Sequence, residues 1–460
     1  MITQIRIDGF KSFRDFTLDV PPTLVMLGPN GAGKSNLFDA LRLVAGTADR
    51  GFEMTVREDP RLSPGGLFHR GGARTAHTLA VTVSTLVASQ DGPLPVCIRL
   101  RVGRTPGGQV AVLAKSAIWI SRLEDHGWMA NAGLDEEAQS AVREARSAFL
   151  DRVGGPDYLP FKGVLGTPWD PRAPHVLGED AEDEGERYAE DFAAAPGEEL
   201  RALAARECAS WRPFVLEPAA LRTPTAALAT GRISPDGANL AAVLHRVRDE
   251  SPSHWRRLVA DVAALVDGVR DIRPLHDRRR DEYDFEVEFS NTGWISPPAL
   301  SDGTLRMIAL LAAASDPLWP GGMSVEEIEN GMHPGHVADL VRRLRRGTGV
   351  TPGASSPYRQ LIATTHSPAL LAALRDDLSG SLVFMEQADR VDPHEKTVAR
   401  TTVARPLRAY DPERNPGETV SPEHVERLLR NPFHTCLGVS WSLPPFIATR
   451  PSNSAGAAYG

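Results

Sequence analysis

The chain has 460 residues, 42% hydrophobic and 24% charged, enough to bury a large core without disulfides. Its three cysteines, Cys97, Cys208 and Cys436, lie far apart with no CxxC pair, which argues against a zinc site and fits a reducing, cytoplasmic compartment. A net charge of −8 argues against a surface that binds nucleic acid everywhere, and no apolar run reaches the roughly 18–20 residues that cross a bilayer, so no membrane partner is expected.

Residues 1–20 alternate with period two through Ile5, Ile7, Phe16, Leu18 and Val20, broken at Gly9 and Lys11-Ser12. That pattern predicts a β-hairpin. A short apolar strand, Leu24 to Leu27, runs into Gly28-Pro29-Asn30-Gly31-Ala32-Gly33-Lys34-Ser35, and an amphipathic helix follows from about Ser35. The spacing is GxxxxGK[ST] between a strand and a helix. Glycines let the loop curve so that backbone N–H groups face a polyphosphate, and the helix start adds its positive dipole end. Lys34 is expected on the β- and γ-phosphates and the Ser35 hydroxyl on Mg²⁺. Strands are expected near 78–88 and 109–121.

From about 121 to 275 the pattern turns mostly helical, with helices expected over 134–153, 197–211 and 238–250. This stretch is read as an insertion projecting from the head formed by 1–120 and 276–440. The acidic run Gly178 to Asp191 reads as a solvated face, and 441–460 as a flexible tail. A strand is expected at 282–290, helices at 303–315 and 335–346, and strands near 323–325, 361–363 and 381–385. The segment from Arg390 to Ala404 reads as a hairpin.

Three further constellations follow in order. Ser301-Asp302-Gly303 opens a helix, Glu326-Glu327 end a short strand, and His366 follows the strand Leu361 to Ala363. Paired carboxylates after a strand suit phosphoryl transfer, one towards the metal and one towards an attacking water.

The order GFKSF, GPNGAGKSN, LSDGTLR, VEEIENGMHP and ATTHSPALL resembles the SMC/RecF-type ATPases of the ABC superfamily. Within them it is nearest the bacterial group related to the ATPase domain of OLD-family nucleases. The resemblance covers roughly 1–120 and 212–390. It implies an α/β P-loop fold with an antiparallel N-terminal lobe, with ATP and Mg²⁺ as ligands. It also implies that Gly28 to Asn36 bind the phosphates and that Ser35 and Glu326 hold the metal. Glu327 would be the catalytic base, His366 the switch histidine and Glu329 to His333 the D-loop. Ser301, Asp302 and Gly303 would reach a second copy's γ-phosphate, so an ATP-dependent homodimer is implied. Ile328 stands where proline is usual after the paired acids, the strand before them is weakly apolar, and Phe68 to Gly72 offers no glutamine for a Q-loop. Slow, partner-stimulated hydrolysis is therefore expected.

The downstream process is read as DNA-related or phage defence, with Arg278 to Arg280 and Arg342 to Arg346 as candidate DNA contacts. The alternative is a regulatory ATPase controlling a separate nuclease or toxin without touching DNA. A built-in nuclease is disfavoured because only about 70 residues follow Arg390, too few for a TOPRIM domain. The nucleotide-binding subunit of a transporter is disfavoured by the GFKSF start and the long gap between P-loop and signature.

Overall fold

A computed structural model describes residues 1–407 except 72–73, 105–108, 114–116, 121–133, 154–159, 163–193, 212, 229–230, 320, 352–357, 375–379 and 393–396, together with 420–421 and 425. The acidic run and the tail lie outside these residues. Strands β1 (Ile2–Asp8) and β2 (Phe16–Asp19) form the expected hairpin, with Ile5 opposite Leu18. Gly9 turns the chain with φ +68, and a Cβ there would stand 2.3 Å from the Thr78 carbonyl oxygen. After β3 (Thr23–Leu27) and helix α1 (Lys34–Arg50) come β4 (Thr78–Ser89) and β5 (Gly92–Arg104). These two pair antiparallel and join β1, so the first lobe is an antiparallel sheet.

The chain continues through α2 (Glu136–Val153), α3 (Ala194–Cys208), α4 (Leu240–Glu250) and α5 (Pro252–Leu265). Next come the hairpin β6 (Val269–Asp277) and β7 (Glu282–Phe289), helix α6 (Asp302–Ser315), strand β8 (Gly322–Val325) and helix α7 (Pro334–Leu344). Strands β9 (Tyr358–Thr365), β10 (Leu382–Asp392) and β11 (Thr397–Pro406) complete it, the last two as the expected hairpin.

A second sheet runs β8–β9–β3–β10–β11, parallel up to β10, with β11 antiparallel at its edge. Period-two alternation along β3 feeds two cores. Leu24 and Met26 point into one with α1 and the antiparallel sheet, while Val25 and Leu27 point into the other with α4 to α7. Full burial of each such side chain is worth about 1.5–3 kcal/mol. The parallel order puts the C-terminal ends of β3, β8 and β9 along one edge of the sheet, the place where α/β folds carry their ligands.

The projecting insertion is not what the described residues form. Phe149 of α2 and Leu200, Leu203 and Ala204 of α3 join the first core, and α4 and α5 join the second. Glu207, 5% exposed, accepts hydrogen bonds from Thr85 of β4, Trp211 and the Tyr358 hydroxyl, tying α3 to both sheets. The boundary drawn at 275 falls inside β6. Their apolar faces pack against the two cores of the head.

Candidate nucleotide site

Strand β3 ends at Leu27 and the glycine loop turns directly into α1. Gly33 is the N-cap of α1 at φ +101, where a Cβ would lie 2.2 Å from Thr402 Oγ1. Gly28 is equally confined, since a Cβ there would come 2.2 Å from the Met385 carbonyl oxygen. Gly31, at φ +78, has open space around it and sits exposed with Asn30 at the mouth. Pro29 is half-buried and Ala32 buried; Ser35 and Asn36 are half-buried at the helix start.

Lys34 is 7% exposed and curls back over the loop, donating to the carbonyls of Gly28 at 2.5 Å and Pro29 at 3.0 Å. Burial lowers its pKa, and the negative charges of Glu329 and Glu327 oppose that shift. The ammonium is therefore held over the cradle with carboxylates close by. Side chains from distant strands brace the loop: Thr402 Oγ1 donates to the Ala32 carbonyl at 3.0 Å, and Gln387 Nε2 to the Gly31 carbonyl at 2.7 Å. Ser12 Oγ accepts from Asn36 at 2.9 Å and from Thr402 at 2.8 Å. Of these braces only Ser12 lay in a motif read from sequence. The segment Phe68 to Gly71 lies under the GFKSF turn, with His69 Nδ1 2.7 Å from the Lys11 carbonyl, so it serves as a brace. The glutamine that reaches the cradle is Gln387.

The short strand β8 pairs parallel with β9 despite its poor sequence, because Met323, Ser324 and Val325 are all buried. It delivers Glu326 and Glu327 to the ligand edge. Glu327 is exposed and sits at φ +48, its N–H held by Thr364 Oγ1 at 2.8 Å. A left-handed non-glycine residue costs about 1–3 kcal/mol and is characteristic of functional positions. Ile328, where proline was expected, is 1% exposed in the second core, and its N–H bonds the Thr364 carbonyl at 3.0 Å. Glu329 Oε1 accepts the backbone N–H of His366 at 2.8 Å and stands 3.7 Å from its ring Nε2. Among the described residues, Glu329 Oε2 and His366 Nδ1 are buried without hydrogen-bond partners. Glu329 thus ties His366 to the acid segment, a contact the sequence did not suggest.

Glu326 is half-buried, and its Oε1 accepts from Arg42 Nη2 at 2.7 Å. Asp39, 1% exposed on α1, accepts from Arg42, Lys11 and Arg61. The two residues expected to hold a metal, Ser35 and Glu326, both carry hard oxygen donors, the kind that suits Mg²⁺.

Ser301 caps α6, its Oγ accepting from the Thr304 N–H at 3.1 Å. Asp302 is exposed and accepts from Arg222 at 2.6 Å, while Gly303 packs so tightly that a Cβ would lie 2.3 Å from the Gly331 carbonyl oxygen. One turn on, Arg306 donates to the Asn330 carbonyl at 3.0 Å. Burial lowers its pKa against the opposing charges of Glu217, Glu327 and Asp302. Among the described residues no hydrogen bond or ion pair joins Ser301 to Gly303 with the cradle residues. The structure brings Lys34, Glu327, Glu329 and His366 together, while Ser301 and Asp302 are exposed.

Comparison with known proteins fits this geometry. A solved structure of the Smc head bound to the C-winged helix domain of ScpA superposes with TM-score 0.50 at 14% identity, covering 88% of this chain and 98% of that one. A family described as "AAA domain" matches residues 4–80, and one described as "AAA domain, putative AbiEii toxin, Type IV TA system" matches 218–372. The chain thus shares the fold of an Smc head domain. The chromosome partition protein Smc of Gloeobacter violaceus is 37% identical over 103 residues, which are 21% of this chain and 8% of that protein. That of Bordetella petrii is 55% identical over 49 residues, 10% of this chain and 4% of that protein. The matched segments thus span less than a tenth of either relative. Among the described residues no helix of the head is long and apolar enough to cross a membrane.

Proposed function

We propose that the chain is an ATP-binding and ATP-hydrolysing switch in which two copies close on ATP, and that this closure controls a DNA-related or phage-defence process. The observation that carries the reading is the buried Lys34 ammonium over the glycine loop, with the Glu327 and Glu329 carboxylates close enough to act on its pKa. Lys34 and the N–H groups at the start of α1 hold the β- and γ-phosphates. Glu327, exposed at the strand end, takes the proton of a water attacking the γ-phosphorus in line, and ADP departs opposite. Ser35 and Glu326 would hold a magnesium ion, which would supply charge neutralisation to phosphoryl transfer. The outward-facing Ser301 helix start completes the site of the other copy. Hydrolysis is slow and raised by a partner.

Complementation tests the shared site. Lys34→Ala and Ser301→Glu proteins are each inactive alone, and mixing them restores hydrolysis because the mixed dimer holds one intact pair. A mixture as inactive as its parts rejects the composite site.

The output is a DNA transaction or a defence complex. Arg342, Arg345 and Arg346 line a cleft of about 390 Å³ with Thr23 and Thr348, at the end of β3 opposite the cradle. The other reading, a regulatory ATPase whose partner is a separate nuclease or toxin, draws support from the matched family's AbiEii toxin description. It is also favoured by Asp261, which neutralises Arg343 and Arg346. ATP-dependent, salt-sensitive DNA binding decides for the first; a stable co-purified effector with no DNA affinity decides for the second.

A further inference from the structure

Ser35, Asp39 and Arg42 follow at spacings of four and three, so they lie along one face of α1 beneath the phosphate end. At the bottom of this face sits Asp39, a carboxylate only 1% exposed. Its Oδ1 accepts from Arg42 Nη1 at 2.9 Å and Arg61 Nε at 2.8 Å, and its Oδ2 from Lys11 Nζ at 2.6 Å. Three cations on one buried carboxylate exceed what its neutralisation needs. The surplus is directed: the second arm of Arg42, Nη2, reaches Glu326 Oε1 at 2.7 Å, and both partners are about 85% buried, at 16% and 15% exposure. Among the described residues no hydrogen bond reaches Glu326 Oε2.

The geometry points to Arg42 as a positioning residue for Glu326: it clamps one carboxylate oxygen so that the other is presented to the metal. This rests on the reading of Glu326 as the metal's carboxylate. Glutamate has one more rotatable bond than aspartate, and a ligand free to rotate loses entropy each time it binds. A bidentate guanidinium anchored on a buried acid removes that freedom before the metal arrives. Carboxylate ligands are ordinarily oriented in this way by a second layer of hydrogen bonds. Lys11 and Arg61 act one step further out, holding Asp39 so that Arg42 has a fixed base. The GFKSF lysine is thereby coupled to the metal ligand through Asp39 and Arg42.

Magnesium titrations of the full chain with a fluorescent, non-hydrolysable ATP analogue test this. The readouts are the half-saturating Mg²⁺ concentration and the affinity in EDTA. Arg42→Gln raises the Mg²⁺ requirement about ten- to hundredfold and leaves the EDTA affinity unchanged. Arg42→Lys keeps a cation on Asp39, and hence the fold, but lacks the planar fork whose two arms hold Asp39 and Glu326 in fixed geometry, so it shows the same direction of change. Glu326→Asp is too short to meet Arg42 and retain the metal position. In that background Arg42→Gln therefore adds less than about threefold, a non-additivity expected of residues acting as one unit. A Mg²⁺ requirement unchanged or lowered in both Arg42 variants overturns the proposal, since the ion pair would then be idle or competing with the metal. A full additive effect in the Glu326→Asp background overturns it too. A wild-type chain whose analogue binding ignores Mg²⁺ instead removes the parent reading of Glu326, a distinct result.

Discussion

Lys34 and Ser301 both stand at the start of a helix, yet the two helix ends are built in opposite ways. Lys34 is 7% exposed, bonded to two carbonyls of its own loop, and that loop is braced by Gln387 and Thr402 from distant strands, with Ser12 bonded to Asn36 and Thr402 beside it. Ser301 is exposed, and its hydroxyl contacts Thr304 of its own helix. The first end is finished within one chain. The second is held by Gly303 packed on Gly331 and by Arg306 bonded to Asn330, and Ser301 and Asp302 at its start are exposed. The contrast teaches that the glycine-loop end is preorganised by side chains from across the fold, whereas the Ser301 end leaves its first residues exposed.

Mutations can sharpen or break that contrast. The largest effect is expected from Glu327→Gln, which removes the proton acceptor while keeping the shape. Hydrolysis falls about 10²–10⁴-fold, and sizing chromatography with ATP shows a dimer that accumulates. A variant that stays monomeric under saturating ATP would break the comparison. Next is Lys34→Ala, which deletes a charge-assisted contact worth about 1.5–3 kcal/mol, so calorimetry should find nucleotide affinity weakened roughly ten- to hundredfold. Affinity loss of that size from Ser301→Ala, measured on monomer, would show that the two ends are not separate.

Glycine substitutions probe the brace alone. Gly33→Ala meets both a left-handed φ and Thr402 at 2.2 Å, so a loss of about 1–3 kcal/mol in a denaturant melt is expected. Gly31→Ala shares the backbone strain but has nothing within 4 Å, and should cost about 1 kcal/mol. Ser301→Ala, which removes one helix cap, likewise costs about 1 kcal/mol of monomer stability, and on the proposed shared site it abolishes the ATP-dependent dimer.

Much of this was readable along the chain. The glycine loop, its flanking strand and helix, the β1–β2 hairpin, the β10–β11 hairpin and the Ser301 cap are local patterns within a few residues, and each is found where it was expected. Strand β5 escaped notice because Pro93 and Pro95 near its start disguise a strand that pairs along its whole length with β4. Helix α5 and strand β6 were missed in the stretch read as insertion, and the described helices of that stretch line the two cores.

By itself the sequence determined the phosphate cradle and the order of its acid, serine and histidine companions, because glycine freedom and strand or helix periodicity act over neighbouring residues. Tertiary structure alone decided that Glu329 would hold His366, that Arg42 would grip Glu326 across 284 positions, and that Gln387 would reach Gly31 across 356. Such pairings depend on which strands the parallel sheet places side by side. That choice is made by burying two faces of β3 at once, a long-range requirement that no short window of residues encodes.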